Sequence, residues 1–367
     1  MLAVPPVLPA IHHDLGLDEK SIGALTSLPV LMLAAAAVPG SLLVARAGPR
    51  RALIAGLLLV AAAGAARGVG PSAALLFGLT FLMGVGVAVS QPAFPSVVKD
   101  WFPARVGLAT AVYANGLLVG EILPTALTQP LVLPLVRGSW EWSLAAWSLP
   151  VLVTAALIAW LVPHLSPDPD APRARWWPDW RNPLTWRYGL IFACISALYW
   201  GTNAFIPDFL HQSRRPELVA PTLAALNAAQ LPPSIVAVIW PRRLVGRRWP
   251  FLLGGAGMMA GLLGLVAMPG IWPVFWAAEL GVVSGLVFVC VLALPPLLAA
   301  PADVARLSAA MFTLTYACAF LGPLAGGAAW DATGAPFTAF APGFLGGLLM
   351  IWLALGLRLP TSARAVS

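Results

Sequence analysis

Three kinds of polar residue interrupt the apolar stretches of this chain, each with its own chemistry. Glu121 and Glu279 stand inside long apolar runs, where a carboxyl group can either take up and release a proton as its surroundings change or serve as the partner of a buried donor. Arg67 closes another run, placed either to attract an anion or to anchor at lipid headgroups. Tyr199, Trp200 and Asn203 flank Gly201, with Pro207 four residues on. That combination suits a broken, cavity-lining helix. Asn227 and Gln230 are three apart and share a helix face. Gln91, Tyr113, Asn115 and Tyr316 complete a set that could hydrogen-bond a small solute or tie helices together. Asp208 belongs to a hydrated helix end. No phosphate-binding Gly-x-x-x-x-Gly-Lys-Ser/Thr, no His-Glu-x-x-His and no cysteine cluster appears. The adjacent His12 and His13 point to different helix faces, so no metal or other cofactor is expected and no enzymatic centre is indicated.

The elements that must position these residues follow from composition. The chain is 60% apolar and 10% charged over 367 residues, with mean hydropathy +0.86. A soluble domain carries about 25% charge, so this is an all-α polytopic membrane protein. Each span needs about 20 apolar residues, which allows about a dozen. The net charge of +7 reflects orientation in the bilayer, not nucleic-acid binding. Cys194, Cys290 and Cys318 all fall in apolar segments and read as small core residues.

Met1–His12 is apolar but too short to span, and reads as the outer half of a first helix whose inner half is missing. Ser21 is expected to cap a second span running to Ala45, after the polar turn His13–Lys20. Spans four and five flank the charged turn Lys99–Arg105 in the hairpin Met83–Pro124. Later spans are expected at Trp142–Val162, Tyr188–Leu210, Val219–Trp240, Pro250–Met268, Val274–Leu298, Ala305–Trp330 and Phe337–Leu357. This gives an N-terminal six-helix bundle over 1–163, with helix 1 incomplete, a Pro- and Trp-rich linker over 164–186, and a C-terminal six-helix bundle over 187–367. Sixteen of the twenty-one Lys and Arg residues fall in alternate loops, including the tail with Arg358 and Arg364. The positive-inside rule makes those loops, the linker and the C-terminus cytoplasmic.

The halves repeat. Ala104–Ala109 (Ala-Arg-Val-Gly-Leu-Ala) corresponds to Ala305–Ala310 (Ala-Arg-Leu-Ser-Ala-Ala), and the basic turn at Gly48 corresponds to that at Gly246. Two parallel six-helix halves with a site near mid-membrane are a transporter arrangement. In these features the chain resembles the major facilitator superfamily. Its loop signature, Gly-x-Leu-Ala-Asp-Arg-x-Gly-Arg-Arg, is met by Arg46, Gly48, Arg50 and Arg51, with Ala45 in place of the acidic residue; the second copy keeps Gly246, Arg247 and Arg248. The resemblance implies a gating role for these loops. A closer likeness, to the cyanate permease and 2-nitroimidazole transporter branch, lies in Val4–Pro9, Leu25–Val30, Arg67–Ser72, Phe94–Pro103 and Val106–Thr110. First helices of that branch carry an Asn-x-Arg pair just before the stretch matching Val4–Pro9, so a further 20–30 residues are expected upstream.

The resemblance implies a secondary active transporter in the inner membrane, moving a small anion or small polar nitrogen compound by alternating access; proton coupling through Glu121 or Glu279 and a monomeric working unit are separate expectations. Multidrug-type efflux and a non-transporting receptor or assembly protein are the alternatives. Growth or uptake assays with cyanate, nitrate, nitroimidazoles and short carboxylates would discriminate among substrates.

Overall fold

The computed structural model describes residues 3–16, 19–70, 72–161 and 175–357. Part of the expected linker, the tail with Arg358 and Arg364, and the side chain of Ser21 lie outside the described residues. In chain order the helices are α1 (Leu8–Leu15), α2 (Glu19–Ala47), α3 (Pro49–Ala66), α4 (Ala73–Trp101), α5 (Val106–Leu127) and α6 (Leu133–Leu135). Next come α7 (Trp140–Ala146), α8 (Ser148–Leu161), α9 (Pro183–Gln212), α10 (Val219–Ala228), α11 (Leu231–Ile239) and α12 (Pro241–Leu244). The last are α13 (Trp249–Ala267), α14 (Trp272–Leu292), α15 (Leu294–Leu298), α16 (Val304–Thr333) and α17 (Ala341–Leu355). Among the described residues, eleven helical segments are long and apolar enough to cross a membrane. Their outward faces are apolar: on α17, Leu345, Leu348, Trp352 and Leu355 are exposed along one stripe. Exposed tryptophans, including Trp142, Trp160, Trp240, Trp249 and Trp272, sit at helix ends, as a headgroup belt requires.

By contacts the chain forms two units. The first comprises Met1–Val97, Gly116–Pro178 and Pro301–Ala309. Its helices meet backbone to backbone. A Cβ at Gly56 of α3 would lie 2.8 Å from the Gly86 carbonyl oxygen of α4, and one at Gly40 of α2 would lie 2.8 Å from that of Ala88. In lipid, where apolar side chains gain nothing by leaving their surroundings, such close approach supplies the packing. Around α1, the side chains of Val7, Ile11, Leu25, Leu76, Trp140 and Leu144 form a small buried core. The end of the linker is pinned here: the buried Ser41 hydroxyl lies 2.6 Å from the Trp176 carbonyl oxygen, to which it donates.

The second unit comprises Val98–Asn115, Asp179–Ala300 and Ala310–Ser367. Here α14 with α15 is the most buried span, packed against α9, α10, α11 and α13. α13 crosses α17 at a mutual glycine contact: a Cβ at Gly255 would lie 2.6 Å from the Gly347 carbonyl oxygen, and one at Gly347 would lie 2.8 Å from that of Gly255. Cys194 and Cys290 are buried in this packing, and all three cysteines are free.

Two local features of the repeat recur. The basic turns place Gly48 at φ 82° and Gly246 at φ 75°, a region L-residues avoid. Short 3-10 turns, Pro103–Arg105 and Pro301–Asp303, lead into α5 and α16. The breaks fall elsewhere than expected. Pro207, expected to break span seven, lies inside a continuous 30-residue α9. The eighth span breaks instead, at Ala229–Gln230 between α10 and α11. One proline removes a single donor; Pro232 and Pro233 in succession remove those that would serve the carbonyls of Ala228 and Ala229, so the ladder stops there.

The glycine crossings set the first prediction. Gly255→Val should destabilise the purified protein by about 1–3 kcal/mol, because the Gly347 backbone cannot move aside. Gly116→Ala, where a Cβ meets nothing within 4 Å, should cause no loss. Thermal unfolding in detergent reads both.

Candidate functional site

Within the second unit, α9 and α10 are joined by a chain of side-chain hydrogen bonds. The Tyr199 hydroxyl donates to Asn227 Oδ1 at 2.7 Å, and Asn227 Nδ2 donates to Asn203 Oδ1 at 3.0 Å. Asn227 Nδ2 also donates to the Leu223 carbonyl oxygen at 2.8 Å, so both amide hydrogens and the amide oxygen of Asn227 are engaged. Asn203 Nδ2 donates to the Tyr199 carbonyl oxygen at 2.8 Å, which leaves it one amide hydrogen. Trp200 packs edge-on against Tyr199, with ring centroids 5.7 Å apart. Gln230 is buried beside the break, its Nε2 3.5 Å from the Asn227 carbonyl oxygen.

A second pair ties α5 to α11. Ser234 Oγ donates to Asn115 Oδ1 at 2.8 Å, and Asn115 Nδ2 donates back to the Ser234 carbonyl oxygen at 3.0 Å and to that of Ala111 at 2.9 Å. The amide of Asn115 is thereby also fully used. Tyr113 of α5 lies in the same unit as Tyr316 of α16, whose ring stacks on Phe312 with centroids 6.2 Å apart. Ser234 was not among the residues singled out from sequence. Its signal was available, since a hydroxyl directly after Pro232-Pro233 inside a span sits where the helix must rebuild.

The two carboxylates differ. Glu279 of α14 is half-buried and lies in a slot left by Gly257 and Gly261 of α13, where side chains would collide with its carboxylate oxygens. Its Oε2 is buried and has no hydrogen-bond partner among the described residues. Glu121 of α5, in the first unit, is exposed on its helix. Gln91 of α4 belongs to the first unit and is half-buried.

Arg67 does not reach out to a headgroup layer. It caps the C-terminal end of α3, 3% exposed, with Nε and Nη1 buried and without a hydrogen-bond partner among the described residues. Of the loop arginines, Arg50 donates from Nη2 to the Ala159 carbonyl oxygen at 2.7 Å, near the C-terminal end of α8 where a cation is favoured. Arg46, Arg51, Arg247 and Arg248 are exposed.

Tied amides, one slotted carboxylate and a buried guanidinium thus interrupt helices long and apolar enough to cross a membrane. The chain belongs to the Major Facilitator Superfamily, whose family model matches residues 1–323. It is 29% identical over 328 residues to the cyanate transport protein CynX of Escherichia coli (strain K12), covering 88% of this chain and 84% of that one. It is also 29% identical over 335 residues to the 2-nitroimidazole transporter of the same organism, covering 90% and 84%. Among solved structures, the fold is similar to that of the Escherichia coli fucose:proton symporter FucP, with a TM-score of 0.73 at 14% identity, over 96% of this chain and 95% of that one. The protein is therefore a multi-pass membrane transporter.

The saturation of Asn227 sets a prediction. Asn227→Ala removes the acceptor of the Tyr199 hydroxyl and the donor to Asn203 Oδ1 and should destabilise the protein by about 1–3 kcal/mol in a thermal unfolding measurement. Asn203→Ala removes only one end of the chain and should cost less.

Proposed function

We propose that this protein is a secondary active transporter that moves a small anion or small polar nitrogen compound across the bacterial inner membrane. The proposed motion is alternating access of two six-helix halves, 1–163 and 187–367, around a site near mid-membrane, with the linker and C-terminus cytoplasmic and the monomer as the working unit. The observation that carries the reading is the hydrogen-bonded set of Tyr199, Asn203 and Asn227 inside membrane spans, where polar groups are costly unless they serve a path or a packing contact. The two relatives are named for cyanate and 2-nitroimidazole, both small nitrogen-containing compounds, which supports the substrate class. In this reading Asn203 and Gln230 face substrate with their remaining donors, while Asn227 and Asn115 hold the helices. Trp200, Tyr199, Tyr113 and Tyr316 complete the wall within the second unit, Gln91 is a further substrate-binding candidate in the first, and the basic turns with Arg46, Gly48, Arg50, Arg51, Arg247 and Arg248 belong to the gate.

Proton coupling is assigned to Glu121, with Glu279 second. An exposed carboxylate on a membrane helix is costly against lipid, so Glu121 is read as facing a wetted path. The amide of Asn203 should contribute through one hydrogen bond, so Asn203→Ala should lower uptake roughly tenfold, equivalent to about 1–1.5 kcal/mol. The experiment is uptake of radiolabelled cyanate and a nitroimidazole into proteoliposomes, with and without a pH gradient. Wild type should respond to the gradient, and Glu121→Gln should abolish that response while leaving counterflow exchange intact. Full gradient stimulation in Glu121→Gln removes this residue from the coupling; no uptake of either solute removes the substrate class.

A further inference from the structure

The geometry points to a binding site for a small monovalent anion at Arg67, enclosed within the first unit between the end of α3 and the start of α7 and α8. The guanidinium is 3% exposed, yet Nε and Nη1 have no hydrogen-bond partner among the described residues. A buried, unpaired cation costs several kcal/mol, and chains normally avoid it by supplying a carboxylate. This chain has carboxylates on neighbouring elements and uses them otherwise. Glu141 presses its backbone carbonyl against Gly68, but its Oε2 accepts from the Ser139 hydroxyl at 2.7 Å. Asp14 accepts from Trp140 Nε1 at 2.9 Å and pairs with His13 at 3.1 Å. Those two hydrogen bonds, His13 first, hold the Asp14 carboxyl below its ordinary value. Among the described residues the ion pairs are His13–Asp14 and Arg306–Asp303, and Arg67 is in neither. Burial draws the Arg67 guanidinium down to about 10, so it remains cationic at neutral pH. Its place after the last turn of α3 adds a partial negative charge from the helix end, which lessens the cost of the cation without occupying its side-chain donors.

The surroundings set the size and charge of the ligand. Gly64, one turn before Arg67, faces the Ser148 hydroxyl so closely that a Cβ would collide with it, and Gly68, immediately after, leaves no room for a Cβ against the Glu141 backbone. The backbone is thus closely packed on either side of Arg67, and the burial of its side chain favours a small anion over a large one. Among the described residues no carboxylate pairs with this positive charge, which calls for one negative charge. The forked donors favour acceptor atoms in a plane or a line, as in nitrate, formate or a pseudohalide. This deepens the reading of the chain as a carrier of small anions and rests on it for its physiological meaning, but binding is measurable without transport.

The test uses the full chain purified in detergent. Its unfolding temperature is compared in sodium nitrate or sodium formate against sodium gluconate at equal ionic strength. Wild type should gain about 2–4 °C at anion concentrations well above the dissociation constant. Arg67→Gln should show no difference between the salts. Arg67→Lys, which keeps the charge and loses the fork, should retain less than half of the gain, and it carries the test if the glutamine variant does not fold. A wild-type protein that does not distinguish the salts overturns the site, as does either variant with the full wild-type gain. Uptake of a neutral nitroimidazole by the same preparation in proteoliposomes separates the two readings. Uptake without an anion-dependent shift retires the site and leaves the carrier; a shift without uptake does the reverse.

Discussion

A bilayer offers helices no hydrophobic reason to associate, and the structure depends on how this chain meets that constraint. Its helices touch where side chains are absent: Gly56 against Gly86, Gly40 against Ala88, Gly255 against Gly347. Contacts of this kind gain dispersion over a short distance and fix helix crossings, because backbone atoms have no rotamers with which to adjust. Everything polar inside the spans is then held against walls whose positions are set by those crossings. The slot that receives the Glu279 carboxylate exists because Gly257 and Gly261 leave space between α13 and α14.

Within that frame the buried polar groups divide into those that are used up and those that are not. Asn115 and Asn227 have every amide atom engaged. In a low-dielectric interior such satisfied networks stiffen the structure, and an incoming solute would have to break them before gaining anything. Arg67, one amide hydrogen of Asn203 and Glu279 Oε2 retain capacity. Chemistry with a solute or a proton belongs with the second group, and this distinction cannot be drawn from residue type, since asparagines stand on both sides of it.

Much of the fold was legible in the sequence. Composition alone required a polytopic helical protein, and the two basic turns, Gly-Pro-Arg-Arg at Gly48 and Gly-Arg-Arg at Gly246, carried the repeat together with the Ala-Arg openings. The helix breaks were less legible. Pro207 looked like the stronger breaker because polar residues surround it, whereas the interruption follows from two consecutive missing donors at Pro232-Pro233. The candidate site was legible in its members and not in its pairing. The three-residue spacing of Asn227 and Gln230 implied a shared helix face, yet the break at Ala229–Gln230 falls between them, and nothing in the order of residues shows that Asn227 would reach Asn203, or that Asn115 would find Ser234. Arg67 read equally well as a headgroup anchor; burial, which comes from chain segments far away in sequence, decides against that.

The interruption at Ala229–Gln230 makes one membrane crossing into two separately fastened pieces. α10 is fastened to α9 through Asn227, while α11 is fastened to Asn115 through Ser234. Both pieces also pack on α14, so the crossing is divided in its polar ties and joined in its packing.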